Sequence, residues 1–241
     1  MTSDIQRLDI QYRTLFRLTA NGRIERENDP DRSAGPRLWL AGCAAGNVVG
    51  ARADVADDVA AEIAALAASE PPLMHADSLP RHLDTYAALL RSNDAKVGLT
   101  YELPHGHPWI GRANRVSSDS ADGRDLQARL TADGMPSGMV ALGFRTVADF
   151  WPPWCAAIVD GEIAAIAFAA RLSGVGAELG VATVPAFRGQ GHAAAAVSGW
   201  SHSPGLRSRQ LFYSTDRSNI ASQGVVRRLG LRFMGANLRI A

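Results

Sequence analysis

Val181-Ala182-Thr183-Val184-Pro185-Ala186-Phe187-Arg188-Gly189-Gln190-Gly191-His192-Ala193 passes from a strand-like run, through a proline, into a glycine-bracketed turn and out into an alanine-rich stretch. That order predicts a strand over 177–184, a turn, and a helix from His192 to about Ser201. Gly189, Gly191 and Ala193 allow close backbone approach, and the first N–H groups of a helix have no acceptor within it. Those donors, the positive end of the helix dipole and the guanidinium of Arg188 together suit a diphosphate. A glycine turn entering a helix that binds nothing satisfies the same local pattern.

The flanks extend this order. Upstream, Ala156-Ala157-Ile158-Val159, the turn Asp160-Gly161 and the run Glu162 to Arg171 predict a hairpin whose Ala/Ile-rich second arm is covered on both faces. Downstream, Gln210-Leu211-Phe212-Tyr213-Ser214-Thr215 predicts a strand. A helix over Asn219 to Leu229 follows, closed by Gly230 as C-cap, and then a short strand within 232–240. Helices are also expected over 125–130 and 140–150.

Charge is distributed unevenly. Residues 1–185 carry 17 basic and 23 acidic side chains, a net of −6, whereas residues 186–241 carry eight arginines and one acid, a net of +7. A basic final quarter on a chain of net charge +1 fits an anionic ligand there, as does a solvated arginine-rich helix face. No aromatic-interleaved basic strand or long Lys/Arg run points to nucleic acid.

Two other phosphate sites are disfavoured. Gly189-Gln190-Gly191-His192-Ala193-Ala194 satisfies the dinucleotide pattern GxGxxA, but Pro185 ends the strand four residues before the first glycine. The acid required about twenty residues on is lacking, since Asp216 lies too far away. A Walker loop is excluded because Lys96 is the only lysine.

The same stretch resembles the signature of the GNAT superfamily of N-acetyltransferases, R/Q-x-x-G-x-G/A, which Arg188, Gly191 and Ala193 meet. The likeness continues through Tyr213-Ser214-Thr215-Asp216, Asn219-Ile220-Ala221-Ser222 and Arg228-Leu229-Gly230-Leu231, covering residues 155–235. The resemblance implies an α/β fold with a mixed sheet whose central strands, 177–184 and 210–215, splay to admit acetyl-CoA as co-substrate. It implies that the backbone of Val181, Ala182 and Thr183 binds the pantetheine arm and supplies N–H groups for the oxyanion. It places the diphosphate on Arg188, Gly189, Gln190, Gly191, His192 and Ala193, with Asn219 and Ser222 reaching the coenzyme from the next helix.

Acyl transfer to an amine needs the neutral amine, and an amine of pKa about 10.4 is almost wholly protonated at pH 7. Glu178, on the strand bordering the cleft, is the only carboxylate between Glu162 and Asp216. The resemblance implies a general base there. Many members place a tyrosine seven residues after the asparagine to protonate the departing thiolate. Here that position is Val226; Tyr213 on the neighbouring strand is the candidate substitute, and a tyrosine of the core or cleft wall is the competing reading. The expected function is an acetyl-CoA-dependent N-acetyltransferase acting on a small-molecule amine. The alternative is a non-catalytic GNAT-like module that binds CoA or a metabolite.

The N-terminal half carries no comparable motif. Its first 55 residues read as β-rich, with hairpins over 14–18 and 23–26 about Asn21-Gly22 and over 37–40 and 47–49. Helices over 57–69 and after Ser78, then a strand over 96–103, follow. The polar stretch 104–124 suggests a linker, giving a smaller α+β domain over 1–110 and an acetyltransferase domain over 111–241. Some family members are tandem proteins with a degenerate first copy, which the resemblance offers for 1–110. His105-Gly106-His107 lacks nearby third and fourth ligands, so no metal is expected. Cys43 and Cys155 form no CxxC pair and are expected as packed, reduced thiols. At 241 residues, 46% hydrophobic and 20% charged, the chain can bury a core unaided. Its longest apolar run, 163–170, is far short of the ~20 residues of a membrane span. No secretory signal is visible, and a cytoplasmic, membrane-free location is expected.

Overall fold

The computed structural model describes residues 2–241. In chain order the elements are α1 (Asp4–Leu15), β1 (Phe16–Leu18), β2 (Ile24–Glu27), β3 (Leu38–Cys43), β4 (Gly46–Ala51), α2 (Asp57–Ser69), α3 (Leu83–Leu90) and β5 (Ala95–Glu102). Next come β6 (Asn114–Ser117), α4 (Ala121–Asp133), the single turn α5 (Ser137–Val140), β7 (Trp154–Val159), β8 (Glu162–Leu172) and β9 (Gly176–Thr183). The chain ends with α6 (His192–Trp200), β10 (Gln210–Asp216), α7 (Ile220–Leu229) and β11 (Arg232–Ile240).

Nine strands form one mixed sheet in the order β4-β3-β11-β5-β10-β9-β8-β7-β6, and β1 and β2 pair separately. Only β9 and β10 run parallel; every other neighbouring pair is antiparallel. The expected boundary near residue 110 does not divide this sheet. β5, from the N-terminal half, lies between β10 and β11 of the C-terminal half and pairs with β11 along its whole length, Arg232 opposite Glu102 to Ile240 opposite Ala95. The linker expected over 104–124 contains edge strand β6 and the start of α4.

Helices cover both faces. Ala157, Ala165, Ala167, Leu211 and Tyr213 point into the largest apolar cluster with residues of α2, α3, α6 and α7. Phe212, Trp39 and Ala41 point the other way, beneath Leu8, Tyr12 and Leu15 of α1. On that same second face, Trp154, Ala156 and Ile166 pack under α4 and α5. The alternation follows from the two-residue period of a strand. Cys43 and Cys155 are buried free thiols.

Two local expectations are corrected. The β-rich start begins instead with α1, capped by Ser3, whose hydroxyl accepts from Gln6 N while the Gln6 side chain returns to Ser3 N. Ser3-x-x-Gln6 is a capping box, and it starts a helix ahead of the Asn21-Gly22 hairpin. Helix over 140–150 is absent: α5 stops at Val140, and Gly143 takes φ +93°, which a continuing right-handed helix does not allow. A one-turn capping box, Thr146 with Asp149, fills the remainder.

Candidate active site

The sheet opens at its centre. β9 and β10 pair only from Gly176–Gln210 to Glu178–Phe212, after which β9 continues to Thr183 bonded to β8 alone and β10 continues to Asp216 bonded to β5 alone. The divergence coincides with a register shift in β8 between Ala169 and Arg171, opposite Leu179 and Glu178. A bulge increases local twist and turns the strand away from its neighbour. Gly180 then lies under the ring of Phe168, where a β-carbon would stand 2.5 Å from Cζ. The expected splay between these strands is present, and it leaves one backbone edge of Val181, Ala182 and Thr183 without a strand partner.

A cavity of about 660 Å³ occupies the opening. Its wall contains Val181, Ala182 and Thr183, the loop Arg188-Gly189 and Gly191-His192-Ala193, then Tyr213, Asn219 and Ser222. Ten of the residues expected to bind coenzyme thus surround one space, and Gln190 sits within the same loop. Gly189 and Gly191 take φ +78° and +89°, left-handed values that favour glycine. Gly191 is the N-cap of α6 and offers no side chain to cap it. Among the described residues, no acceptor takes the main-chain N–H groups of Gly189 through Ala194; the first helical bond runs from Ala195 N to Gly191 O. The side chains of Gln190 and His192 bond to each other, Nε2 to Oε1 at 3.3 Å, so both are available through their backbone.

Charge around the loop comes from two arginines. Arg188 is in the loop, and Arg228 reaches from the last turn of α7 to lie against Gly191, where a β-carbon would overlap its guanidinium. Neither has a carboxylate partner within salt-bridge distance among the described residues. The motif spacing gave no reason to select Arg228. The signal available was the +7 excess of the final quarter. Asn219 caps α7, its Oδ1 accepting from Ser222 N at 3.0 Å.

Tyr213 is 2% exposed, and its hydroxyl lies 2.9 Å from Ser222 Oγ at the cavity wall. Burial pushes the phenol above its ordinary range, partly offset by the Ser222 hydrogen bond. Val226, seven residues after Asn219, is buried in the main core and does not line the cavity.

Glu178 occupies the apex of the opening, in the last parallel pair, but its side chain emerges on the α1 face rather than into the 660 Å³ cavity. It is 5% exposed. Oε2 accepts from Gln11 Nε2 of α1 at 3.0 Å, while Oε1 is buried with no partner. Desolvation raises its pKa, and the Gln11 bond with the nearby polar groups of Ser214 opposes that rise. Gln11 was not selected from sequence, since an internal glutamine on an amphipathic helix carries no motif. Thr14 of the same helix packs where a β-carbon at Gly176 would stand, so glycine lets α1 reach the sheet beside Glu178. His105 and His107 hold structure: His107 Nε2 lies 2.7 Å from Leu229 O and His105 Nε2 2.8 Å from Arg209 O.

No protein-family model and no curated protein matches this sequence. Among solved structures the chain is similar to a protein from Novosphingobium aromaticivorans named for the GNAT acetyltransferases, at 20% identity over 63% of this chain and 67% of that one, TM-score 0.40. It is similar to a GCN5-related N-acetyltransferase from Kribbella flavida, at 17% identity over 63% of this chain and 61% of that one, TM-score 0.39. A conserved protein of unknown function from Staphylococcus epidermidis is similar at 12% identity over 70% and 69%, TM-score 0.44. The match thus spans less than two thirds of the Kribbella chain. No helix among the described residues is long and apolar enough to cross a membrane.

Proposed function

We propose that the chain is an N-acetyltransferase of the GNAT type, which moves an acetyl group from acetyl-CoA to an amine within a ternary complex. One observation carries this reading. The unpaired edge of β9, the N–H arch of residues 189–194 and the N-terminus of α6 face a single cavity that enters the sheet at the β9–β10 divergence. An extended amide-bearing chain ending in a diphosphate matches that sequence of partners: strand edge first, anion site second. Acetyl-CoA supplies the activated thioester.

The residues divide the work. Val181, Ala182 and Thr183 offer main-chain groups to the pantetheine amides and an N–H for the oxyanion. Gly189, Gln190, Gly191, His192 and Ala193 offer N–H groups to the diphosphate, and Arg188 adds charge. Asn219 and Ser222 line the cavity from α7. Glu178 takes the amine proton as the C–N bond forms. The C–S bond breaks and the sulfur leaves with the electron pair, to be protonated by Tyr213 or water. A carboxylate whose pKa is raised by burial is a better base near neutral pH than an exposed one.

A second reading rests on Val226 and on Tyr213 already being bonded to Ser222: a module that binds CoA or a metabolite without turnover. Calorimetry with acetyl-CoA, followed by thiol release over a panel of amines, separates the two. Binding with amine-dependent release supports the enzyme, binding without release supports a CoA-binding module, and absent binding removes both of these and leaves only the metabolite-binding form.

A further inference from the structure

On the α1 face, a chamber of about 210 Å³ lies beside Glu178, walled in part by Trp39, Ser214, Asn237 and Arg239. Ser214, Asn237 and Arg239 also line a recess of about 550 Å³ that runs outward past Lys96. The inner chamber therefore lies where β9 and β10 separate and shares a wall with the outer recess. It approaches the splay from the face opposite α6 and α7.

Three features describe what it would hold. The first is the buried, unpartnered Oε1 of Glu178. A buried carboxylate oxygen without a donor is costly unless a ligand supplies one, and an amine does. The second is a fixed polar floor. Gln11 donates to Glu178 at 3.0 Å and to Ser214 Oγ at 2.8 Å, while Asn237 Nδ2 donates to Thr100 Oγ1 at 3.2 Å. The third is Arg239, at the junction of chamber and recess. Glu27 is shared between Arg239 and Arg171, and Arg171 also reaches Asp29 at 3.5 Å. Arg239 thus has part of one carboxylate, its guanidinium rests over the Phe16 ring at 5.5 Å, and its Nε and Nη1 have no acceptor among the described residues. Nε and Nη1 face different sides of the guanidinium, so each offers a single charge-assisted N–H to a carboxylate oxygen while Nη2 stays with Glu27.

We propose that this chamber is the acceptor subsite and that its acceptor is a small zwitterionic amine of amino-acid type, with the amino group at Glu178 and the carboxylate at Arg239. The proposal rests on the acetyltransferase reading. The recess is mixed in charge, with Glu27, Asp94 and Asp216 beside Arg52, Lys96 and Arg239, so selection against a second ammonium rests on Arg239 at the junction. The inner chamber is also smaller than the ~300 Å³ at which drug-sized pockets begin, so the body between the two charged groups is short. The N-terminal half gains a role on this view, because α1 and β3 build the chamber that receives the acceptor.

The test compares amino acids with their methyl esters and decarboxylated amines in thiol release from acetyl-CoA. It uses full-length protein and is accompanied by calorimetry of acetyl-CoA. At least one amino acid is expected to exceed its two uncharged-end counterparts by about 10-fold or more in kcat/KM, mostly through KM. Arg239→Gln should abolish that preference while acetyl-CoA affinity stays within twofold, and Arg239→Lys should restore part of it. Equal or better use of the esters and amines, a preference that survives in Arg239→Gln, or acetyl-CoA binding with no amino acid used would each overturn the acceptor assignment. Loss of preference in Arg239→Gln without recovery in Arg239→Lys, in a variant melting well below wild type, would also count against it. Failure of acetyl-CoA to bind the wild type would instead overturn the reading beneath it.

Discussion

The guanidinium of Arg228 lies against Gly191 in the volume that a β-carbon there would fill. Two elements distant in sequence, the turn before α6 and the last turn of α7, thus present a cation and a row of unpaired N–H groups to one point. Gly191 serves this arrangement twice, through its left-handed φ of +89° and through the room it leaves.

Gly191→Ala is expected to cost about 1–2 kcal/mol of stability from the left-handed backbone alone and to displace Arg228. Gly191→Asp adds a negative charge at the anion site. Acetyl-CoA affinity, read by calorimetry, should fall about 10-fold in the first variant and beyond ~100-fold in the second. Unchanged affinity in Gly191→Asp would place the coenzyme elsewhere.

Burial holds Glu178 above the ordinary carboxylate pKa, so only at pH values between the unfolded and native pKa does the native chain keep a proton that the unfolded chain has released. Stability linked to this group is intact below the unfolded value and is lost as pH rises through the native one. Glu178→Gln should therefore melt no lower than wild type at neutral pH, with the difference shrinking in acid. Its turnover should fall ~10²–10⁴-fold with acetyl-CoA affinity kept. The wild-type rate should decline as pH falls through the raised pKa, and the variant should lack that limb. Full activity in Glu178→Gln would remove the carboxylate from the reaction.

Tyr213→Phe deletes one hydroxyl and its bond to Ser222. A thiol of pKa about 8.5 leaves readily as thiolate, so kcat should drop only about 10-fold, below the ~10²–10⁴ ascribed to a general acid in harder reactions. No change in kcat, with normal melting, would assign the tyrosine to the cavity wall alone.

The segment 111–241 expressed by itself lacks β5, and β10 and β11 then have no strand between them. It should give no cooperative thermal transition by circular dichroism, and co-expression with 1–110 should restore one. A cooperative melt of 111–241 alone would show that β5 is dispensable.

The run from β7 to α7 was legible because each element is announced within a few residues: Asp160-Gly161 for the hairpin, Pro185 for the strand end, Asn219 and Gly230 for the caps of α7. The β5 strand was legible as a strand, but its seat between β10 and β11 was not, since pairing across more than a hundred residues leaves no local trace. The glycine turn before α6 was readable for the same local reason. The partners of Glu178 were not. Gln11 meets it across 167 positions, and only packing of α1 on the sheet, permitted by Gly176, brings them together.

The placement of β5 also has a consequence for biosynthesis. Both of its neighbours, β10 and β11, emerge from the ribosome more than a hundred residues after it. Until then β5 presents two bare edges, and the first hundred residues cannot complete their share of the sheet. Long-range pairing of this kind folds slowly, and exposed edges recruit other chains. The nascent protein is accordingly expected to depend on chaperones until β11 has emerged, and its yield to respond to growth temperature more steeply than its final stability would suggest.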